Sequence, residues 1–202
     1  MPAAHNPFSR LDISAAILAG GQGSRVGGQD KGLLPVAGKP LVAWVAERLR
    51  EQVGTVFVCA NRNADRYAQY GRVVADAATG FHGPLAGIAA ALAACTTRWL
   101  LTVPVDSPCP PQDLAACLHR AAATAGAAAA VARAQTQREP LFAIYDVAAC
   151  GSVRDALARD IAVWRWQDEL GAVEADFSGR AADFRNLNTL DEFQLWERDH
   201  GG

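Results

Sequence analysis

Short apolar runs, typical of buried β-strands, alternate with longer helical patterns through the first 124 residues of the chain. The apolar runs are residues 13–18, 55–59, 72–75 and 99–105, and the helical patterns are residues 40–52, 85–95 and 111–124. Such alternation predicts an α/β fold in three layers, with a mostly parallel (mixed) central sheet and helices on both faces.

The second half of the chain is less regular. Residues 127–134 fit a strand or a helix equally well, because their periodicity does not separate the two. Residues 140–145 are predicted as a strand and residues 147–159 as a helix, and residues 189–192 have the spacing of a capping box before a final helix. No repeat, linker or change of composition divides the chain, so we expect a single domain over residues 1–202.

Charge and composition argue against several classes of protein. The formal net charge is −2 and 50% of the residues are hydrophobic, which disfavours a disordered chain and a protein that coats nucleic acid. The five cysteines are odd in number and lack Cys-x-x-Cys spacing, so neither a disulfide framework nor a zinc site is predicted. We find no signal-peptide pattern and no apolar stretch of membrane-spanning length, so the expected location is the cytoplasm.

Three polar features directly follow predicted parallel strands. They are the glycine-rich segment after residues 13–18, Asn61-Arg62 after the second strand and Asp106-Ser107-Pro108 after the fourth. Folds of this class bind ligands outside the carboxyl ends of their strands. The three features are therefore expected to surround one pocket.

The glycine-rich segment has the composition of a phosphate-binding loop. It carries five glycines within residues 20–28, and Arg25 and Lys31 lie within or close to it. Glycines let the backbone turn tightly and direct several N–H groups at one point. Together with the two cations, this arrangement predicts a cradle for phosphate groups.

Two common phosphate-binding motifs do not fit this segment. A P-loop needs Ser or Thr after its lysine, and here Lys31 is followed by Gly32. A dinucleotide fingerprint needs a third glycine where Val26 stands, and the second strand leads to Asn61 with no acid for a ribose diol. A dehydrogenase is therefore disfavoured.

Residues 18–31 read Leu-Ala-Gly-Gly-x-x-x-Arg-x-Gly-Gly-x-Asp-Lys, which resembles the signature of the nucleoside-triphosphate transferases and, more narrowly, of the molybdenum cofactor guanylyltransferases. The resemblance continues at residues 33–34, 38–41, 60–62, 76, 83–87, 106–108 and 186–189. It implies a Rossmann-like fold. The implied reaction is transfer of GMP from GTP to the terminal phosphate of molybdopterin or Mo-molybdopterin, with release of pyrophosphate.

The resemblance also implies roles for individual residues. The catalytic residues would be Lys31, Asp106 and Arg25, and Asp106 would bind Mg²⁺, the implied cofactor. The nucleotide would be bound by Leu18, Ala19, Gly20, Gly21, Lys31, Asn61, Asp76 and Asp106. The pterin substrate would be bound by Gly83, Pro84, Asn186 and Asn188.

Simpler interpretations of some of these residues stay open. Asp106 also fits the N-cap of a following helix, and Asn188 fits a cap of the last helix. His82, beside Gly83, is interpreted as a loop residue without a catalytic role. A histidine base is not required, because the acceptor phosphate is largely ionised at neutral pH.

One position departs from the family's pattern and leaves open which nucleobase the nucleotide substrate carries. Cys59 stands where family members often carry Asn, and a thiol is a weak hydrogen-bond partner. The alternatives are a sibling enzyme that uses CTP or another NTP on a cofactor or sugar phosphate, and a non-catalytic nucleotide-binding adaptor. The expected partners are GTP, molybdopterin and, transiently, molybdoenzymes or their chaperones, with neither nucleic acid nor a membrane among them.

Overall fold

The computed structural model describes residues 8–20, 30–75 and 83–200. Its strands are β1 (Ile13–Leu18), β2 (Pro35–Val36), β3 (Lys39–Pro40), β4 (Thr55–Cys59), β5 (Arg72–Val74), β6 (Trp99–Pro104), β7 (Ala129–Ala134), β8 (Gln137–Asp146) and β9 (Val173–Asp176). Seven strands form one sheet in the order β5-β4-β1-β6-β8-β7-β9, and β2 pairs with β3 in a separate hairpin. Within the described sheet only β8 runs antiparallel to its neighbours.

Helices cover both faces of this sheet. They are α1 (Leu41–Arg50), α2 (Ala64–Tyr67), α3 (Gly83–Ala94), α4 (Leu114–Ala125), α5 (Val153–Ala158), α6 (Val163–Glu169) and α7 (Leu190–His200). The apolar sides of α1 and α4 pack on one face, and those of α3, α5 and α6 pack on the other. The predicted three-layer α/β fold with a mostly parallel, mixed sheet is confirmed.

The burial of the central strand β1 explains why five of its six residues are apolar. All six of its residues are buried, and successive side chains point to opposite faces of the sheet. Ile13 and Ile17 enter the core under α1 and α4, whereas Ala16 and Leu18 enter the core under α3. A strand that is buried on both faces does not alternate between apolar and polar residues, and the one polar residue of β1, Ser14, shares a hydrogen bond with the Thr97 hydroxyl at 2.8 Å.

The far half of the sheet departs from the sequence prediction. The ambiguous stretch 127–134 is the strand β7, and the single helix expected over 147–159 is a 3₁₀ turn at Val147–Ala149 followed by the short α5. The Asp146 carboxylate accepts a hydrogen bond from the Ala148 N–H at 3.1 Å, which starts the 3₁₀ turn separately. The elements α6 and β9 were not predicted. In the four-residue edge strand β9 only Ala175 is buried, so its pattern is too weak to read.

The C-terminal helix α7 completes the fold beside the hairpin. Phe193 and Trp196 of α7 pack with Val36 and Leu41 around Leu187, which is fully buried. The Trp196 ring meets the Trp44 ring edge-on, with centroids 4.7 Å apart. This packing brings the segment before α7 to the carboxyl end of β6. In the ranges that the structure describes, no helix is long and apolar enough to cross a membrane.

Candidate active site

The carboxyl ends of β1, β4 and β6 lie side by side and carry the predicted polar features. Backbone hydrogen bonds extend past the strand ends, from the Ala19 N–H to the Cys59 carbonyl at 3.0 Å and from the Val105 N–H to the Leu18 carbonyl at 3.2 Å. Leu18 and Ala19 are thereby fixed at this edge, and the next residue, Gly20, is exposed. Asn61 follows β4 on the same edge and is also exposed.

Lys31 is the centre of a cluster of three residues that are distant in sequence. Its ammonium group lies 2.8 Å from Asp106 Oδ2 and 2.7 Å from Asn188 Oδ1, and donates a hydrogen bond to each. We call these three residues the lysine cluster. The side chains of Lys31 and Asp106 are 20% and 23% exposed, so a ligand can reach both charges from solvent.

Asp106 follows β6 and is held by the chain segment that precedes α7. Its backbone carbonyl accepts a hydrogen bond from the Leu187 N–H at 2.8 Å. The buried hydroxyl of Ser107 donates to Asn186 Oδ1 at 2.5 Å. The next helix, α4, begins only at Leu114, so the interpretation of Asp106 as a helix N-cap is wrong.

The predicted capping box of α7 is present, and it fixes Asn188. The Glu192 carboxylate accepts hydrogen bonds from the N–H groups of Asn188 at 2.6 Å and Thr189 at 2.8 Å. In return the Glu192 N–H donates to the Thr189 hydroxyl at 3.3 Å. The N-cap is therefore Thr189, and the side chain of Asn188 is directed to Lys31 instead of capping. The two backbone N–H groups, and the charge of Lys31, lower the pKa of Glu192.

Lys31 also begins a tight 3₁₀ turn, Lys31–Leu33, that is packed against α2. The Asp30 carboxylate accepts hydrogen bonds from the Tyr67 hydroxyl at 2.5 Å and from the Asn63 side-chain amide at 2.9 Å. A Cβ atom on Gly32 would lie 2.4 Å from the Tyr67 hydroxyl oxygen, so only glycine fits there. The sequence analysis did not identify Asp30, Asn63 or Tyr67 as site residues. Asp30 lies within the quoted motif, but α2 is too short to show a helical period.

Gly83, Pro84 and Cys59 lie on the side of the sheet that α3 covers. Gly83 has a φ of +65°, which favours glycine, and Gly83 and Pro84 are both exposed in the first turn of α3. The Cys59 thiol is buried and donates to the Gly87 carbonyl of α3 at 3.4 Å. Lys31 belongs to the 3₁₀ turn whose Leu33 packs with α1 on the other side of the sheet. The structure therefore does not gather Gly83 and Pro84 into the lysine cluster.

Four residues of the sequence prediction, Gly21, Arg25, Asp76 and His82, lie outside the described residues. Within residues 8–20, 30–75 and 83–200 there is no group of three His, Cys, Asp or Glu residues that could hold a metal ion. The cluster offers one carboxylate, that of Asp106. This matches Mg²⁺, which usually binds one or two carboxylates together with phosphate groups of the substrate.

Fold and site together define a class. A Rossmann-like sheet with a glycine-rich segment after its first strand, and a lysine paired with an aspartate at the strand ends, is the arrangement of an enzyme that handles nucleotide phosphates. The MobA-like NTP transferase domain family matches residues 15–173. The chain belongs to this family, and its similarity to curated proteins places it among the molybdenum cofactor guanylyltransferases.

The chain is similar to curated proteins over almost its whole length. It is 42% identical over 201 residues to a molybdenum cofactor guanylyltransferase of Cupriavidus metallidurans, and 39% identical over 193 residues to one of Yersinia pseudotuberculosis. Each match covers 95% of this chain and 98% of the relative. The resemblance in the sequence motifs is thereby confirmed.

A solved structure from Archaeoglobus fulgidus, described as molybdopterin-guanine dinucleotide biosynthesis protein A, has the same fold. It superposes with a TM-score of 0.77 at 24% sequence identity, and the match covers 92% of this chain and 97% of that one.

Proposed function

We propose that this protein transfers GMP from GTP to the terminal phosphate of molybdopterin or Mo-molybdopterin, giving molybdopterin guanine dinucleotide and pyrophosphate. The observation that carries the proposal is the double contact of Lys31, at 2.8 Å from Asp106 and 2.7 Å from Asn188. The Lys31 ammonium thus contacts both Asp106, which is assigned to the nucleotide, and Asn188, which is assigned to the pterin. The relatives in Cupriavidus and Yersinia carry the name of this activity.

The bond changes need no protein base. An oxygen of the acceptor phosphate attacks the α-phosphorus of GTP and forms a new P–O bond. The bond from the α-phosphorus to the oxygen bridging it to the β-phosphorus breaks, and its electron pair leaves with pyrophosphate. Because the acceptor oxygen is already ionised at neutral pH, no proton has to be removed. The protein's task is therefore to align two polyanions and to stabilise charge.

Lys31 would supply the fixed positive charge beside the reacting phosphates. Its ammonium is held by two acceptors at once, so it is oriented before a ligand arrives. A charge that is already oriented needs no reorganisation during the reaction, which is the usual source of electrostatic catalysis. Arg25, outside the described residues, would hold the phosphates from the glycine-rich segment.

The end of β1 would provide the nucleotide subsite. Ala19 is tied by a backbone hydrogen bond to β4 and Leu18 to the residue after β6, and Gly20 leads into the glycine-rich segment at an exposed position. Asn61 would contact the base or ribose from the end of β4. Gly21 and Asp76 are assigned to the same ligand by the resemblance.

Asp106 would hold the Mg²⁺ ion. One of its oxygens accepts the hydrogen bond from Lys31, and its side chain is accessible from solvent. Through this carboxylate Asp106 would place positive charge beside the phosphate groups, which the metal would help to neutralise. A single carboxylate fits this use, since the remaining ligands would be phosphates and water.

Asn186 and Asn188 would bind the molybdopterin acceptor. Gly83 and Pro84 would approach the substrates from the side of the sheet that α3 covers. Asn186 and Asn188 are both exposed, and the buried Leu187 between them anchors the segment. Their amides can donate hydrogen bonds to phosphate or pterin oxygens. The product would pass to molybdoenzymes or their chaperones. The single domain over residues 1–202 and the cytoplasmic location stay predictions.

A panel of nucleotides tests the proposal. The protein is incubated with Mg²⁺, molybdopterin and each of GTP, CTP, ATP and UTP in turn, and pyrophosphate release is followed. We expect release with GTP that depends on molybdopterin and stops when the metal is chelated. Equal or faster release with CTP would contradict the guanine assignment. Tight GTP binding without turnover would favour the nucleotide-binding adaptor.

A further inference from the structure

We propose that Tyr67 is a positioning residue for the transfer reaction, because it holds the turn that carries Lys31. The proposal rests on the function proposed above. Tyr67 lies at the end of the short helix α2, is fully buried and has no place in the roles assigned so far. Its hydroxyl group is the contact point between α2 and the Lys31 turn.

The first contact of this hydroxyl is with the residue before Lys31. The Tyr67 hydroxyl donates to Asp30 Oδ1 at 2.5 Å, and the Asn63 amide occupies Asp30 Oδ2 at 2.9 Å. Both carboxylate oxygens of Asp30 are thus bound by residues at the two ends of α2. The Asp30 carbonyl in turn accepts a hydrogen bond from the Leu33 N–H at 3.0 Å, which closes the 3₁₀ turn.

The second contact is with the residue after Lys31. A Cβ atom on Gly32 would approach the Tyr67 hydroxyl oxygen to 2.4 Å and a methyl carbon of Val105 to 2.9 Å. The glycine therefore lies directly against the phenol, with no room for any side chain. Tyr67 contacts both chain neighbours of Lys31, so the backbone of Lys31 is fixed from both directions.

A long lysine side chain reaches its target reliably only when its backbone is fixed. Displacement of a catalytic group by about 1 Å can lower the rate by about 100-fold. Tyr67 acts through Asp30 and Gly32 and has no described contact with the Lys31 ammonium, so its effect is on position alone. Burial and the hydrogen bond to Asp30 both raise the pKa of Tyr67 above its ordinary value, so the phenol remains a hydrogen-bond donor at every working pH.

The variant Tyr67→Phe removes the hydroxyl and keeps the ring. We expect kcat for pyrophosphate release to fall about 10- to 100-fold, the fold-change expected for loss of a hydrogen bond to a charged group. The KM for GTP should change less than about threefold, since the lost interaction acts on the transition state. The matched control is Tyr145→Phe, which removes another buried tyrosine hydroxyl, one bonded to Gln167 at 2.7 Å and remote from the lysine cluster.

Tyr145→Phe should lower thermal stability and leave kcat unchanged. A second variant, Asn63→Gly, breaks the other Asp30 contact at an exposed position. Asn63 has a φ of +55°, so glycine removes the amide without adding backbone strain. We expect Asn63→Gly to lower kcat about 3- to 10-fold, a smaller effect because the amide is neutral and solvated.

A double-mutant cycle separates positioning from a general loss of structure. If Tyr67 acts through Asp30, then Tyr67→Phe should lower kcat less than about twofold further in an Asp30→Ala background, which has no acceptor for the hydroxyl. Provided that the wild-type protein is active, three results would each overturn the positioning role. They are additive losses in the cycle, an unchanged kcat in Tyr67→Phe, and an equal loss of kcat in Tyr145→Phe. An inactive wild-type protein would instead overturn the proposed function, and the role of Tyr67 with it.

Discussion

The two sides of the lysine cluster are held in different ways. On the side of α2, the Lys31 turn is fixed by a fully buried tyrosine and by a glycine with no free space around it. On the side of α7, Asn188 is exposed and is fixed by the hydrogen bond from its backbone N–H to the carboxylate of Glu192, a half-buried residue. Buried, close-packed contacts tolerate little change, whereas exposed hydrogen bonds exchange easily with water. We therefore expect the Lys31 side to be rigid and the Asn188 side to be adjustable.

The largest effect should come from the charges that both sides share. Lys31→Ala and Asp106→Ala should each lower kcat for pyrophosphate release by at least about 100-fold, because a charge-stabilising group is lost. The matched control is Lys39→Ala. Lys39 lies on the hairpin, where its ammonium pairs with Glu47 and lies over the Trp44 ring of α1. Its loss should therefore leave turnover at the wild-type rate. Wild-type rates in both site variants would show that the cluster is not the active site.

Gly32→Ala tests the rigid side with one added carbon. The new Cβ would lie 2.4 Å from the Tyr67 hydroxyl oxygen, so the turn must move and carry Lys31 with it. We expect kcat to fall about 10- to 100-fold and the free energy of unfolding to fall by about 1–3 kcal/mol, measured by denaturant unfolding. Gly151→Ala is the control, because no atom lies within 4 Å of its added Cβ. If Gly32→Ala keeps full activity, the rigid side is less constrained than the packing indicates.

Asn188→Ala tests the adjustable side. Lys31 would lose one acceptor at 2.7 Å but keep Asp106. We expect kcat to fall about 3- to 10-fold, and the KM for molybdopterin to rise more than the KM for GTP, as steady-state kinetics with each substrate varied would measure. A loss as large as that of Lys31→Ala would remove the distinction between the two sides.

Glu192→Gln should have the smallest effect, and one that depends on pH. The folded protein lowers the pKa of Glu192, so the carboxylate stabilises the fold above its unfolded pKa, and this contribution is lost as the pH falls through the lower folded value. At pH 7 the variant should lose about 0.3–1 kcal/mol of unfolding free energy, because glutamine keeps an acceptor oxygen but loses the negative charge at the helix N-terminus. The difference from wild type should shrink as the pH falls through the lowered folded pKa of Glu192, because both side chains are neutral below it. A difference that does not change with pH would contradict the charged capping box.

Sequence reasoning reached further on one half of the molecule than on the other. The strands β1, β4 and β6 are almost wholly buried, and each parallel strand of this half, β5 included, directly follows a glycine or a charged residue, so their number and order of appearance were predicted correctly. The edge strand β9 and the helix α6 are short and partly exposed, and their apolar patterns were too weak to identify. The broken helix after β8 depended on a side-chain cap at Asp146, which composition does not show.

The candidate site also contains residues that the sequence identified and residues that it did not. Lys31, Asp106, Asn186 and Asn188 were singled out by motif, and the structure brings them to one place. Tyr67 was missed because its importance comes from a contact with Asp30, 37 residues away in the chain. Neither residue's neighbours in sequence carry information about such a distant pairing. The identity of the partner became visible only in three dimensions.

The separation of Lys31 from Asn188 has a consequence for the growing chain. The two residues that meet at 2.7 Å are 157 positions apart. At about 5–20 residues per second, roughly 8–30 s of translation separate their synthesis. A nascent chain can hence pair Lys31 with Asp106 before Asn188 exists. Asn188 is thus the last of the three cluster residues to be made, and a ribosome that stalls before residue 188 leaves a chain without the amide assigned to the acceptor.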